Sequence, residues 1–364
     1  MSSDVKRVER PVHEISNIEI IGNFSVDGNR KYLNDLSQLK YYKEPADIDN
    51  VNFNLDENQN TVTKSNVHKK LDFTLSWILE NIDILRTQDF ESSKRWLEPE
   101  FIFNRGILTK LLVTPYTYKN WIICASKFKG TIYLCNFYTD EQLMEELNKS
   151  ERNKRQTSWG FKFEQCVRSE SPNADPDVSV PLDENEEFYC VFKSKFGNKT
   201  LLYAAEIDGI SSQEVINNTV VGKELELLEF KTAFFRNLED DKVKNSITAL
   251  HWWAQSYAVN ISNIVCGCKT NIGQVKRVIK YKLSDLDHCI KDKQKVCKIF
   301  CNNFLDFIKE TVEDDYDKCL YKFSYNMKNQ KITINEMDPD ETSEYTFLYP
   351  RYIEKLKEHF PDHL

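Results

Sequence analysis

The chain has 364 residues, 40% hydrophobic and 29% charged, enough for a sizeable packed core. Its net charge of −8 and pI of about 5.5 argue against a protein that coats nucleic acid unspecifically, because that mode rests on neutralising phosphates with Lys and Arg. A local cleft holding one strand end is not excluded, since an acidic site accepts phosphates when cations bridge them.

No run approaches the ~20 apolar residues of a membrane helix, and residues 1–7 have no apolar stretch like that of a signal peptide. The expectation is a cytoplasmic or nuclear protein with no membrane partner. The ten cysteines are scattered through apolar segments, as at Cys124, Cys135, Cys266 and Cys301, and read as buried thiols rather than disulfides. The spacings of Cys266 with Cys268 and of Cys297 with Cys301 fit no zinc module, and the second pair shares a helix face.

In chain order, residues 1–17 are polar and read as a flexible N-terminus, followed by one domain over 18–364. A short strand is expected over 18–24, then a turn leading to Arg30, by default a surface Arg. Residues 45–65, rich in Asp and Asn, read as a surface loop. A helix follows over about 67–85, with Leu71, Leu75, Ile78, Leu79 and Ile82 on one stripe and Trp77 in the core. Arg105 precedes a Gly at an element start, where a guanidinium either grips a phosphate bidentately or closes a structural salt bridge. Residues 121–125 and 130–137 form a hairpin, and 141–156 is a charged helix or loop without a clear buried stripe. Glu164 follows Phe161 and Phe163, and a carboxylate among aromatics is costly unless paired or metal-bound. It is equally open to a structural role. A polar loop over 169–187 leads to a strand at 188–192.

Residues 201–209 and 224–232 are the most informative stretches. Both are short apolar runs bounded by polar residues, as strands are. A period of two places Glu206 beside Asp208 and Glu229 beside Lys231. If the strands pair, three carboxylates and one ammonium share a patch. Carboxylate oxygens suit Mg²⁺, and one or two suffice when substrate phosphates complete the shell. The pattern fits a metal-dependent phosphodiesterase, set against a solvent-facing edge with ordinary charge alternation. Its spacing resembles the acid-x-acid plus Glu-x-Lys core of PD-(D/E)XK-type nucleases.

A charged connection over 237–245 precedes a helix from about 246, carrying His251, Trp252, Trp253 and Gln255. The adjacent tryptophans cannot share one face. Gln255 either bonds a substrate or is solvated, and His251 is a base or an exposed helical His. Residues 261–268 and 275–281 pair around a turn at Gly273. An amphipathic helix spans 293–312 with Val296, Ile299, Phe300, Phe304 and Ile308 on its stripe. A hairpin over 321–325 and 332–334 and a helix over 350–360 close the chain. The fold class is α+β: a single domain with a mixed sheet core flanked by helices.

Assembled, these stretches resemble the DXO decapping exoribonuclease family, whose fungal members partner the nuclear 5′–3′ exoribonuclease. The family's Arg-Gly motif matches Arg105-Gly106, its Gly-aromatic-x-aromatic-Glu motif matches Gly160 to Glu164, its Glu-x-Asp motif matches Glu206 to Asp208, its Glu-x-Lys motif matches Glu229 to Lys231, and its Trp-Trp-Ala-Gln-Ser stretch matches Trp252 to Ser256. Five motifs in order are specific where each alone is weak. The resemblance implies a PD-(D/E)XK nuclease core. It implies that Glu164, Glu206, Asp208 and Glu229, with the Phe230 carbonyl, ligate one or two divalent metals, Mg²⁺ or Mn²⁺. Lys231 would contact substrate and help position the attacking water, with Arg105, Gln255 and Arg30 holding the RNA 5′ end. The implied substrates are triphosphate, incompletely capped and dinucleotide-capped RNA ends. The implied site of action is the nucleus, with the cytoplasm also open, beside a 5′–3′ exoribonuclease partner. Two positions depart from the pattern: Asn104 stands where an aromatic is expected and Lys69 where an acid is expected. Both bear on which 5′ end is preferred. An idle relative that binds RNA or a nuclease partner is the alternative, though such a chain would have eroded ligand positions, and a DNA nuclease of the same wider group is a third reading.

Overall fold

The structure, a computed structural model, describes residues 11–57, 62, 70–88, 90–234 and 247–361. Two mixed sheets frame it. The first has the spatial order β16 (Lys331–Met337), β15 (Leu320–Asn326), β6 (Trp121–Phe128), β7 (Thr131–Phe137), β5 (Phe101–Asn104), β10 (Lys199–Glu206), β9 (Glu187–Phe196), β1 (Ile15–Val26) and β2 (Tyr32–Leu33). The second has the order β4 (Phe53–Asn54), β14 (Gln274–Lys282), β13 (Asn263–Lys269), β12 (Glu226–Phe234), β11 (Gly209–Ser211), β3 (Tyr41–Tyr42) and β8 (Arg168–Ser169). The helices among the described residues are α1 (Asp72–Glu80), α2 (Ile82–Leu85), α3 (Phe90–Ser93), α4 (Gly106–Val113), α5 (Asp140–Leu147), α6 (Glu151–Val167), α7 (Ile247–Tyr257), α8 (Leu283–Thr311) and α9 (Pro350–Glu358). No helix among them is long and apolar enough to cross a membrane.

The central strands of the first sheet, β6, β7, β5, β10 and β9, are buried on both faces and read as nearly continuous apolar runs, while the outer strand β16 is mostly exposed. Along β10, Leu201, Tyr203 and Ala205 enter a core shared with α4, α7 and α8, while Leu202 and Ala204 face a second core with α1 and α9. The first of these cores also takes Ile264 and Cys266 of β13, so the two sheets share it. A third cluster seats α6 against the second sheet through Trp159, Phe163, Leu228 and Phe230.

The strand that ends at Glu206 does not pair with the strand that carries Glu229 and Lys231, so the condition under which three carboxylates and one ammonium share a patch by direct pairing is not met. β10 lies in the first sheet and β12 in the second. Of Glu206 and Asp208, only Glu206 is a strand residue; after it, Ile207 N–H still bonds the Phe188 carbonyl at 2.9 Å, and Asp208 falls in the crossing to β11. It is β11 that pairs with β12, Gly209 opposite Leu228.

Other differences have local causes. β1 starts at Ile15, before the expected strand. The first helix breaks at Asn81, whose Nδ2 donates to the Trp77 carbonyl at 2.8 Å. The expected start of that helix at 67, Lys69, and the connection over 237–245 lie outside the described residues. The charged stretch near 141–156 belongs to two helices, each with its own N-cap at Thr139 and Ser150. α8 begins ten residues before the expected start, and Val296 of its predicted stripe is 45% exposed.

Candidate active site

Backbone packing brings the sequence-predicted acids to one place. Arg105 follows β5 directly, and its N–H bonds the Ala204 carbonyl of β10 at 2.8 Å. Gly209 passes over the Phe230 ring, where a Cβ would approach ring carbons to 3.1 Å. That close approach lets Asp208 Oδ2 accept from Phe230 N–H at 2.7 Å. Gly267 plays the same part for α6: a Cβ there would meet the Phe163 ring at 2.6 Å, so a bare backbone at this point admits Phe163 and sets its neighbour Glu164 over the site.

Glu229 is the hinge of the charge arrangement. It is 2% exposed, with Arg105 Nη1 at 3.1 Å from Oε2 and Lys231 Nζ at 2.5 Å from Oε1. Glu164 Oε2 receives Arg168 Nη1 at 3.0 Å. Burial opposes ionisation of Glu229, but Lys231 and Arg105 outweigh it and hold its carboxyl below the usual range. The other acids are less compensated. Burial, with Glu206 adding repulsion against the attraction of Arg168, pushes Glu164 up to about 7. Burial and the charges of Glu229 and Glu164 push Asp208 well above the usual carboxylate range. Arg105 and Lys231 stay charged: burial disfavours them, and the surrounding carboxylates reverse the effect.

Glu206, Arg105 and Gln255 line a cavity of about 750 Å³. Arg30 is not on its wall. Its Nη1 bonds Glu187 Oε2 at 2.8 Å and the Asn185 carbonyl at 3.1 Å, and its guanidinium lies over Phe73. It reaches the site through a neighbour, since Tyr189 donates to the same Glu187 oxygen at 2.9 Å, pairs with Glu206 in register and lines the cavity. Asn104 is tied down: its Oδ1 accepts from Thr74 Oγ1 at 2.7 Å and its Nδ2 donates to the Lys70 carbonyl at 3.2 Å. This departure from the family pattern therefore anchors the start of α1. The tryptophans that cannot share a face are both buried, Trp252 tilted against Tyr281 and Trp253 stacked on Tyr257. His251 is exposed at the cavity wall. Sequence reasoning missed Arg168, although its i,i+4 spacing from Glu164 was the available signal. It also missed Glu187 and Tyr189, which carry no motif.

The donor set fits a hard divalent cation. With all seven groups ionised, the four carboxylates Glu164, Glu206, Asp208 and Glu229 exceed the three cations Arg105, Lys231 and Arg168 by one negative charge, and the raised carboxyls of Glu164 and Asp208 register that excess. Such an excess is what a divalent ion relieves. Among the described residues no three His, Cys, Asp or Glu side chains gather tightly enough to hold an ion as they stand. Glu229 is turned to Arg105 and Lys231, and Glu164 to Arg168, as like charges without a cation between them would require.

Mixed sheets flanked by helices, with acids delivered from a strand end, a crossing loop and a second sheet, define a nuclease of the PD-(D/E)XK class. The chain belongs to the RAI1-like PD-(D/E)XK nuclease family, which it matches over residues 17–353. It is 30% identical to the decapping and exoribonuclease protein of Xenopus laevis, over 92% of this chain and 85% of that protein. Its fold is similar to the crystal structure of Scheffersomyces stipitis Rai1, with a TM-score of 0.78 and 16% identity over 96% of this chain and 99% of that one. It is likewise similar to Candida albicans Rai1 solved in complex with pU5-Mn²⁺, with a TM-score of 0.77 and 17% identity over 95% of this chain and 96% of the other.

Proposed function

We propose that this chain is a divalent-metal-dependent hydrolase of RNA 5′ ends, removing triphosphate, incomplete and dinucleotide caps and degrading the exposed strand 5′ to 3′. The observation that carries the reading is the meeting of Glu206 and Arg105 on one cavity wall, with Asp208, Glu229, Glu164 and Lys231 gathered behind them. When bound, a divalent ion supplies a more acidic water and neutralises charge on the attacked phosphate. We assign its ligands to Glu164, Glu206, Asp208, Glu229 and the Phe230 carbonyl, and the ion to Mg²⁺ with Mn²⁺ as a substitute. Support for divalent metal comes from the Mn²⁺ in the Candida albicans relative and from the uncompensated acids here.

The chain's own residues do the rest by positioning and charge. Lys231 keeps its proton beside Glu229 and Asp208, so it stabilises negative charge rather than abstracting a proton. Arg105 and Gln255 orient the phosphate for in-line attack, and Arg30 steadies the wall through Glu187 and Tyr189. The relative solved with pU5 supports a single-stranded RNA 5′ end as the ligand. A nuclear site of action and an exoribonuclease partner belong to the same proposal and rest on the family resemblance; co-purification of the tagged chain from nuclear extract tests both. The main test is hydrolysis of matched RNAs with triphosphate, unmethylated cap, methylated cap, dinucleotide cap and monophosphate ends, with single-stranded DNA alongside. Cleavage of at least one class of RNA end in Mg²⁺ supports the proposal, and cleavage of none refutes it.

A further inference from the structure

Far from the acids, the first sheet ends in an open edge. β16 is its last strand, and among the described residues only β15 pairs with it, without a register shift. After β16 the chain turns back over the sheet and does not run along the edge: Tyr345 packs edge-on against Phe137 of β7 and lies under the Lys322 ammonium of β15. Every residue of β16 is exposed or half-buried. Its outward N–H and C=O groups are a template for another strand.

Soluble proteins usually guard such an edge with proline, a bulge or like charges. β16 has no proline and no bulge. Ile332 and Ile334 stand opposite Tyr325 and Phe323 of β15 and share their face of the sheet. α8 runs beneath that face, where Phe304 and Phe307 meet the Phe323 ring edge-on. Val296, Phe300 and Phe307 fall on one stripe of α8. Phe307, Ile334 and Val296 are 37%, 38% and 45% exposed, so an apolar strip borders the open edge. The charges along the edge have opposite signs at its two ends. Lys328 and Lys331 stand at the start, Glu336 and Asp338 at the finish, and all four are exposed. None of them closes an ion pair with another described residue.

We propose that β16 pairs with β16 of a second copy of this chain, antiparallel about a two-fold axis, joining the two sheets into one. Antiparallel pairing brings the basic end of each strand to the acidic end of the other, so one contact satisfies both ends. Parallel pairing would set like charges side by side. With Thr333 on the axis, Ile332 of each copy faces Ile334 of the other on the α8 side, and Lys328 comes to the neighbour's Asp338. Side chains exposed in one copy then cover one another. A foreign segment would have to supply the same apolar alternation and the same charge order, and this chain already carries both. The contact is a short strand and a narrow apolar strip, so the dimer should dissociate at roughly micromolar concentrations. Four strands separate β16 from β10, which ends in Glu206, so each copy keeps its own acid cluster.

The test is sedimentation equilibrium of the full chain over a concentration series, with the melting temperature of each variant as the check on folding. The unmodified chain should pass from monomer to dimer as its concentration rises. Ile334→Lys should keep the melting temperature of the dilute chain and weaken the dimer by at least about tenfold. Two charge-reversed chains test the pairing direction. Lys328→Glu with Lys331→Glu makes both ends of the edge acidic, and Glu336→Lys with Asp338→Lys makes both ends basic. Each should stay monomeric where the unmodified chain dimerises, and an equal mixture of the two should form a heterodimer. A chain that is monomeric throughout the series would overturn the proposal and leave the edge to an extended segment of another protein. A dimer that survives Ile334→Lys, or charge-reversed chains that self-associate as the unmodified chain does, would overturn it by placing the contact elsewhere.

Discussion

The guanidinium of Arg105 and the carboxylate of Glu229 join the two sheets across the site: Nη1 to Oε2 is 3.1 Å, with 10% and 2% of the side chains exposed. Arg105 is fixed to β10 through its own backbone N–H, and Glu229 is a residue of β12. The contact therefore holds together two strands that belong to different sheets. Removing one member of a buried pair leaves an uncompensated charge, at a cost of about 3 kcal/mol. Arg105→Ala should lose about that much in denaturant unfolding, and a double-mutant cycle with Glu229→Ala, in which the Lys231 contact of Glu229 is lost with or without Arg105, should give a coupling of at least about 1 kcal/mol. Losses that simply add in the double variant would mean that the two side chains do not act as a pair.

Asp208→Asn should separate catalysis from folding. The amide oxygen still accepts from Phe230 N–H, while the charge that repels Glu229 and Glu164 is gone. Turnover should fall by at least about 100-fold, beyond the loss typical of an outer-shell contact. The melting temperature in EDTA at pH 8 should hold or rise. Turnover within a few-fold of the unmodified chain would remove Asp208 from the site.

Glu164 gives a pH signature in the metal-free chain. Its folded-state pKa is raised to about 7, above its unfolded value, so its contribution to stability is present below the unfolded value and is lost as pH rises through 7. In EDTA, the unmodified chain and Glu164→Gln should melt alike near pH 5, and the Gln variant should melt a few degrees higher at pH 8. Parallel curves across that window would show that Glu164 is fully compensated.

Asn104 should matter to stability more than to turnover. Both ends of its amide are bonded to the start of α1. Asn104→Ala should cost about 1–2 kcal/mol in unfolding with less than a threefold change in kcat. A change in the ranking of RNA 5′ ends would assign the side chain a direct substrate role.

Much of this was legible in the sequence because strand alternation and turn residues are local. The hairpins at 121–137 and 263–282 follow from apolar runs bounded by Gly130 and Gly273, both at positive φ. The acid cluster was legible in its members and illegible in its geometry. Alternation assigns Asp208 a strand position, but the strand ends at Glu206, and which sheet receives each run depends on long-range pairing that no local pattern encodes. Arg168 compensates Glu164 from one turn away, and i,i+4 spacing alone does not separate such a pair from two solvated charges. The stripe of α8 holds at Phe304 and Ile308 and departs at Val296, because Cys297 and Cys301 fill the core positions there. The N-caps at Thr139 and Ser150 stood in the sequence, Thr139 with Gln142 completing a capping box.

The central claim is that these acids serve a divalent ion at an RNA 5′ end. Its most direct test is single-turnover hydrolysis of a 5′-triphosphate RNA by the chain after EDTA treatment and dialysis, with Mg²⁺ or Mn²⁺ then restored. The account predicts no cleavage of the metal-free sample, recovery on adding either ion, and no recovery in Glu229→Ala or Asp208→Ala. Unchanged turnover after chelation, or recovery in either variant equal to that of the unmodified chain, would contradict it.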